Sequence, residues 1–351
     1  MTSSMRRGKR ISSIRSKAFP DGWGDVLLGR PAIHFVCRII PLSGQRKGYV
    51  MEKMNRLAAK KRKEKGKIIV AFLIVPLLFL GYFTVYPVVT MLLYSFTDWK
   101  GSATPFQFLG FKNYVEIFTT DTYRNIFKTA AYYLLAGILQ QLISLFLAVI
   151  MNKKLCGSSI FKGFIFFPFI MNGVAVSMVF RMFYQIGGGF DVLLNAVGLE
   201  KCIRVWMTNP HTSNICLAFI YLWKNIGYSF LIYLGTMQSV SGEYYDAASI
   251  DGAGTWMQFK EITYPAIKMI IGMMVTLSIV GSISVFDIPY VLTNGKNGTN
   301  SFATTLVETA FTYSRYGLAC AMAIIMLLIA GAVMIFKNLV FKEENDNGYS
   351  R

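Results

Sequence analysis

The chain is short of the residues on which most enzyme chemistry depends. It has two histidines in 351 residues, His34 and His211, too few for a His-rich metal cluster. Its five cysteines, Cys37, Cys156, Cys202, Cys216 and Cys320, are scattered and never take Cys-x-x-Cys spacing. Neither a disulfide framework nor a metal centre is indicated, and the cysteines read as small buried hydrophobes. The sequence also lacks Gly-x-x-x-x-Gly-Lys-[Ser/Thr], His-Glu-x-x-His and any convincing pairing of nucleophile with base. No catalytic residue and no metal ligand is assigned. Charge is scarce as well: Asp, Glu, Lys and Arg make up 15% of the chain, against about 25% in soluble domains.

What the chain has instead is apolar length, with 54% hydrophobic residues. Crossing a hydrocarbon core of ~30 Å takes roughly 20 apolar residues in a helix. About six runs meet that need, near 68–96, 126–151, 161–184, 214–240, 266–285 and 316–341. The expected fold is an all-α polytopic membrane protein of about six transmembrane helices.

The net charge of +18 is unevenly distributed. Residues 1–67 hold 18 Lys/Arg against 4 Asp/Glu, a net of +14, and the remainder nets only +4. A basic block directly before a first span marks a cytoplasmic N-terminus. Nucleic-acid binding, the other reading of a basic tail, finds no motif to support it. Residues 1–67 are therefore read as a basic cytoplasmic tail, 68–341 as the membrane domain and 342–351 as a second cytoplasmic tail. Residues 1–50 differ from the rest and lack signal-peptide organisation. Met51 then opens a short basic stretch, MEKMNRLAAKKRKEKGK, ahead of the first run. The expectation is a mis-assigned start, with the native chain beginning at Met51 or Met54; a disordered tail is the alternative.

Alternation of spans puts 97–125, 185–212 and 287–315 outside, and 152–160, 241–265 and the C-terminal tail inside. Lys153 and Lys154 fall on the inner side as the rule requires, although Lys100, Lys112, Arg124, Lys201 and Arg204 fall outside.

The polar stretch DAASIDGAGTWMQFKEITYP, residues 246–265, interrupts the apolar pattern. Ala247 and Ala248 are small enough for a partner surface to come close. Gly252 permits backbone angles that a Cβ resists, and breaks the stretch into two helical pieces. Trp256, Phe259 and Ile262 recur at helical spacing in the second piece. Pro265 stands where a new helix can begin without its missing N–H. A rigid knob on the cytoplasmic side is expected.

These residues resemble the motif of the inner-membrane subunits of binding-protein-dependent ABC importers: Glu-Ala-Ala, three residues, Gly, nine residues, Ile-x-Leu-Pro. Here it reads Asp246-Ala247-Ala248, Gly252 and Ile262-Thr263-Tyr264-Pro265, with all spacings kept. Asp246 stands for the usual Glu and Tyr264 for the usual Leu. The longer stretch is similar to the carbohydrate branch, the maltose-type and glycerol-phosphate-type permeases, and the resemblance covers roughly residues 68–341. Near the end, the Gly-Gly-Pro usual in the family's last outer loop is replaced around Gly295-Lys296-Asn297. The resemblance implies a type I importer transmembrane domain with a cytoplasmic coupling helix that sits in a cleft of the ATP-binding subunit. It places Asp246, Ala247, Ala248, Asp251, Gly252, Phe259, Ile262 and Pro265 in that coupling loop. It also implies a second permease subunit, in a heterodimer; a cytoplasmic ATPase dimer that binds the ATP and Mg; and an external solute-binding protein. The chain itself is expected to bind no cofactor and to lie in a bacterial inner membrane.

For the substrate path the residues leave two readings open. Asn172, Trp223, Lys224, Tyr228, Ser229, Tyr233, Ser278 and Ser282 have the hydrogen-bonding and aromatic character that sugars require. Polar residues of this kind also serve as interhelical hydrogen-bond partners. A charge such as Lys224 within a span needs a cavity, a partner or room to snorkel. Arg181 and Asp287 read as interface residues near the outer ends of their spans. A sugar or oligosaccharide is the expected cargo, with another solute such as glycerol phosphate as the alternative. A self-sufficient secondary transporter or a membrane enzyme is the rival from a different class.

Overall fold

The structure is a computed structural model that describes Arg56 and residues 69–101, 105–152 and 157–340. The expectations for residues 1–50, for Lys153 and Lys154, and for the tail 342–351 fall outside the described residues. Two compact units divide the chain, residues 1–87 and 88–351. In the first, the described residues are Arg56 and the start of an apolar helix α1 (Ile69–Tyr94), which has no buried residue. A π-helical turn, Gly81–Val85, interrupts its regular winding.

The second unit is helical, and its described residues contain one isolated antiparallel bridge, Thr97 with Phe108. After a short α2 (Lys112–Thr119) comes the long α3 (Asp121–Met151). Thr120 is extended, so the helix starts cleanly, and Asp121 in the first turn complements the positive end of the helix dipole. The next elements are α4 (Ser158–Ile170), α5 (Gly173–Phe183) and α6 (Gly189–Ala196). The continuous α7 (Pro210–Gln238) follows. Its start combines Asn209, whose side chain accepts from His211 N–H at 2.9 Å, with proline in the first turn, where no N–H is needed. The loop helices α8 (Gly242–Ile250) and α9 (Thr255–Gln258) lead through a π-helical turn (Phe259–Thr263) into α10 (Tyr264–Ile283). The chain continues through α11 (Asp287–Thr293), α12 (Phe302–Val307) and the final α13 (Tyr316–Val340).

Among the described residues, five helical stretches are long and apolar enough to cross a membrane, or six if α4 and α5 count as one bent span. The apolar run expected near 161–184 is this bent pair. The pair breaks at 95°. Met171 is extended (φ −65°, ψ 139°), and the Asn172 side chain accepts from Val174 N–H at 2.8 Å to start a new helix. Hydropathy is blind to this break because the residues on both sides are apolar.

The centre of the bundle is α3, packed on α7 and α10. Ala148, Met151, Phe230, Met237, Ile267 and Met274 join these three helices near the loop end. Tyr133, Leu217, Ile220, Tyr221, Ile288 and Leu292 form a second core with α5 and α11. At the end of the bundle away from α8 and α9, Arg315, just before α13, makes a two-pronged pair with Glu116 on α2, at 2.6 and 2.7 Å.

A polar network crosses this bundle interior. Gln140 Nε2 donates to Ser229 Oγ at 2.7 Å and to the Asn225 carbonyl at 3.0 Å. Gln141 Nε2 donates to Ser229 Oγ and the Met274 carbonyl, both at 3.2 Å, and its Oε1 accepts from Tyr233 O–H at 2.7 Å. With no water in a bilayer core, such groups must satisfy each other. The network fastens α3, α7 and α10 into one block.

Candidate functional site

The loop between α7 and α10 is a helix–turn–helix. Ser241 caps α8 by accepting from Glu243 N–H at 3.4 Å. The helix ends in a Schellman closure, with Ala253 N–H donating to the Ala248 carbonyl at 2.8 Å and Gly252 N–H to the Ser249 carbonyl at 3.1 Å. Gly252 takes φ +79°, and nothing lies within 4 Å of where its Cβ would be. Backbone conformation, not space, is therefore what requires glycine there.

Side chains then brace the two pieces. Gln258 Nε2 donates to Ser249 Oγ at 2.9 Å and to the Ala253 carbonyl at 3.1 Å. The Tyr245 and Thr263 hydroxyls meet at 3.0 Å. Pro265 falls in the first turn of α10. Behind the loop lies a cavity of about 260 Å³, lined in part by Val149, Met237, Tyr245 and Phe259.

The loop presents its apolar groups outward. Ile250 is 87% exposed and Trp256 75%, with Tyr244 also exposed. The Trp256 ring stacks on Phe259 at 5.7 Å, which fixes its position. Asp246, Ala247, Asp251 and Gly252 are exposed beside them, while Ala248, Phe259 and Ile262 are half-buried. The motif-based reading names the half-buried Phe259 and Ile262 but not Tyr244, Ile250 and Trp256. Their signal is large apolar side chains within a polar stretch.

The eight residues considered for a substrate path separate into two groups. Ser229, Tyr233, Ser278 and Ser282 are buried inside this one chain. Ser229 and Tyr233 belong to the polar network, and Ser282 Oγ donates to the Ile279 carbonyl of its own helix at 2.7 Å. Ser278 packs against α3, where a Cβ on Gly137 would lie 2.5 Å from its Oγ. The other four reach the bundle surface. Asn172 is exposed and caps α5. Trp223 meets Phe180 edge-on at 5.3 Å, and Tyr228 stacks on Phe169 at 4.9 Å. Lys224 is half-buried and reaches toward Gly173. Asp287, read from the sequence as an interface residue, opens α11 and reaches the same glycine.

The described residues contain no group of three His, Cys, Asp or Glu side chains able to hold a metal.

Three comparisons bear on this arrangement. Residues 140–343 match the model of the family described as binding-protein-dependent transport system inner membrane component. YurN of Bacillus subtilis (strain 168), named a probable ABC transporter permease protein, is 30% identical over 284 residues, covering 79% of this chain and 97% of that protein. MsmF of Streptococcus mutans serotype c, a multiple sugar-binding transport system permease protein, is 28% identical over 76% of this chain and 92% of its own length. Among solved structures, a chain of a bacterial alginate ABC transporter in complex with an alginate-bound periplasmic protein has a TM-score of 0.70. It covers 80% of this chain and 96% of its own at 19% identity, a likeness of fold.

Proposed function

Since this chain belongs to the family of binding-protein-dependent transport system inner membrane components, we propose that it is a membrane-spanning subunit of an ATP-driven importer of a sugar or oligosaccharide. The observation that carries this reading is the coupling loop. It is a braced helix–turn–helix, closed at Gly252, with Ile250 and Trp256 held outward. A rigid knob with exposed aromatic and aliphatic anchors suits insertion into a cleft on a partner.

In this reading the partner is a cytoplasmic ATPase dimer that binds ATP and Mg, and this chain is not itself an enzyme. ATP-driven closure of the partner moves the loop. The loop moves the block of α3, α7 and α10, and access to the path alternates between the two sides of the membrane. A second permease subunit, in a heterodimer, covers the exposed face of the bundle, and an external solute-binding protein delivers the cargo. The chain lies in a bacterial inner membrane with both termini in the cytoplasm. Asn172, Trp223, Lys224 and Tyr228 line the path, whereas Ser229 and Tyr233 hold the helices together and Ser278 and Ser282 are buried in the packing between them.

Sugar as the cargo is supported by the relatives, which include permeases named for multiple sugars, arabinooligosaccharides and diacetylchitobiose. The carboxylate of Asp287 near Lys224 makes this part of the path charge-balanced rather than basic. That suits a neutral sugar better than glycerol phosphate.

Reconstitution tests the reading. The chain is placed in proteoliposomes alone, and with its ATPase, second permease and binding protein, and supplied with a panel of labelled neutral oligosaccharides. Uptake is expected only from the full set with ATP inside. Uptake by the chain alone would identify a secondary transporter instead.

A further inference from the structure

Three segments far apart in the chain converge on Gly173. This glycine is the first residue of α5, at the 95° break in the third apolar run. Asp287 is the first residue of α11, after the interruption that ends α10. Lys224 lies halfway along α7, fourteen residues from Pro210 and fourteen from Gln238, or about 21 Å from either end at ~1.5 Å per residue. A Cβ at Gly173 would lie 2.9 Å from Lys224 Nζ and would collide with Asp287 Oδ2. Both charged groups thus reach the one bare Cα, and any larger residue would occupy the space between them.

They do not touch in this structure. Neither the Lys224 nor the Asp287 side chain makes an ion pair or a hydrogen bond among the described residues. A cation halfway along a membrane-crossing helix requires water or a counter-charge. The two helices that carry Gly173 and Asp287 are short, 11 and 7 residues, and each begins just after an interruption. The α7 helix that carries Lys224 is uninterrupted.

We propose that Lys224 and Asp287 form a charge latch across Gly173. The latch stands open here. It closes into a direct ion pair in another state of the transport cycle, and so draws α11 and α7 together beside Gly173. Water in the path solvates both charges when the latch is open, and the pair replaces that water when it closes. The absence of a side chain at Gly173 keeps the route between them clear. This rests on the permease reading and adds to it a positioning role for two residues 63 positions apart (224 and 287).

Charge exchange tests the latch in the reconstituted complex, using the labelled oligosaccharide that the wild type carries. Lys224→Asp and Asp287→Lys should each lower uptake at least about tenfold, and the double exchange should recover most of it, a coupling of the size expected for contacting charges. In a background with the native cysteines replaced, Lys224→Cys with Asp287→Cys should be joined by a short bifunctional thiol reagent at a rate that depends on the nucleotide state. This second readout holds even where a single exchange fails to assemble. Single exchanges that transport normally would overturn the latch. So would a double exchange as inactive as the singles, because Lys224 would then serve the cargo and not Asp287. A crosslinking rate equal in every nucleotide state would overturn it too. If the wild-type complex itself carries nothing in response to ATP, the permease reading fails instead.

Discussion

At Glu116 one carboxylate ties α2 to the residue that precedes α13. Both of its oxygens accept from Arg315, at 2.6 and 2.7 Å. The guanidinium hydrogen bonds hold the Glu116 carboxyl below the usual carboxylate range, against a smaller opposing push from partial burial. A carboxyl depressed on folding stabilises the fold above its unfolded pKa, and that stability is lost as pH falls through the folded value. Arg315 is pushed upward by the same pair and stays charged throughout, so the acid response belongs to Glu116. Thermal unfolding of the purified protein should therefore weaken below about pH 4, the ordinary range of a glutamate. Glu116→Gln should remove that part of the acid response and, for a half-exposed pair, lower stability at neutral pH by no more than about 1 kcal/mol. This pair was not legible in the sequence, because its members stand 199 positions apart and nothing local marks either one. Gly252 was legible, because its role is local: it ends one helix, and its φ of +79° is a demand that glycine meets. Ser229 and Tyr233 lie between these cases. A polar residue in an apolar run is either path or interhelical contact, and only the placement of Gln140 and Gln141 opposite them decides for contact.

Among the elements, α8 and α9 carry the functional argument. Spacing alone located them, since two helical pieces around glycine and a proline at the next start are features of neighbouring residues. The outward apolar anchors needed the structure, because amphipathic spacing does not say which face meets the bundle. Trp256 supplies the test at this scale. Its side chain is largely exposed, so Trp256→Ala should change the stability of the chain by no more than about 0.5 kcal/mol. Its affinity for the ATPase, measured by titrating the purified subunits, should fall by about 2 kcal/mol, as expected for an aromatic anchor. Equal affinity would remove Trp256 from the interface. The broken third run shows the opposite limit. Asn172 was in view, but it lies within an otherwise apolar run. Whether such a run bends depends on what it packs against, and here α4 and Tyr228 pack together while α5 turns away to α11.

For the molecule as a whole, six apolar runs were enough to indicate an all-helical membrane protein. The interior follows from the same solvent argument. In a bilayer, polar groups that find each other lock helices together, and the network of Gln140, Gln141, Ser229 and Tyr233 does this for α3, α7 and α10. A locked block can carry motion from the loop to the path without deforming. The identity of the cargo was the least legible part, because the polar and aromatic residues considered for the path serve equally as interhelical contacts. The central claim is that force enters through the loop, and Gly252→Val tests it most directly. A β-branched residue forced into the left-handed region carries a strain of about 1–2 kcal/mol, enough to reshape the turn while the spans stay assembled. The measurement is ATP hydrolysis and oligosaccharide uptake, recorded together in proteoliposomes that hold the full complex. Uptake should disappear in the Gly252→Val complex while the subunit is still found in the membrane in wild-type amounts. Wild-type uptake from that complex would contradict the account.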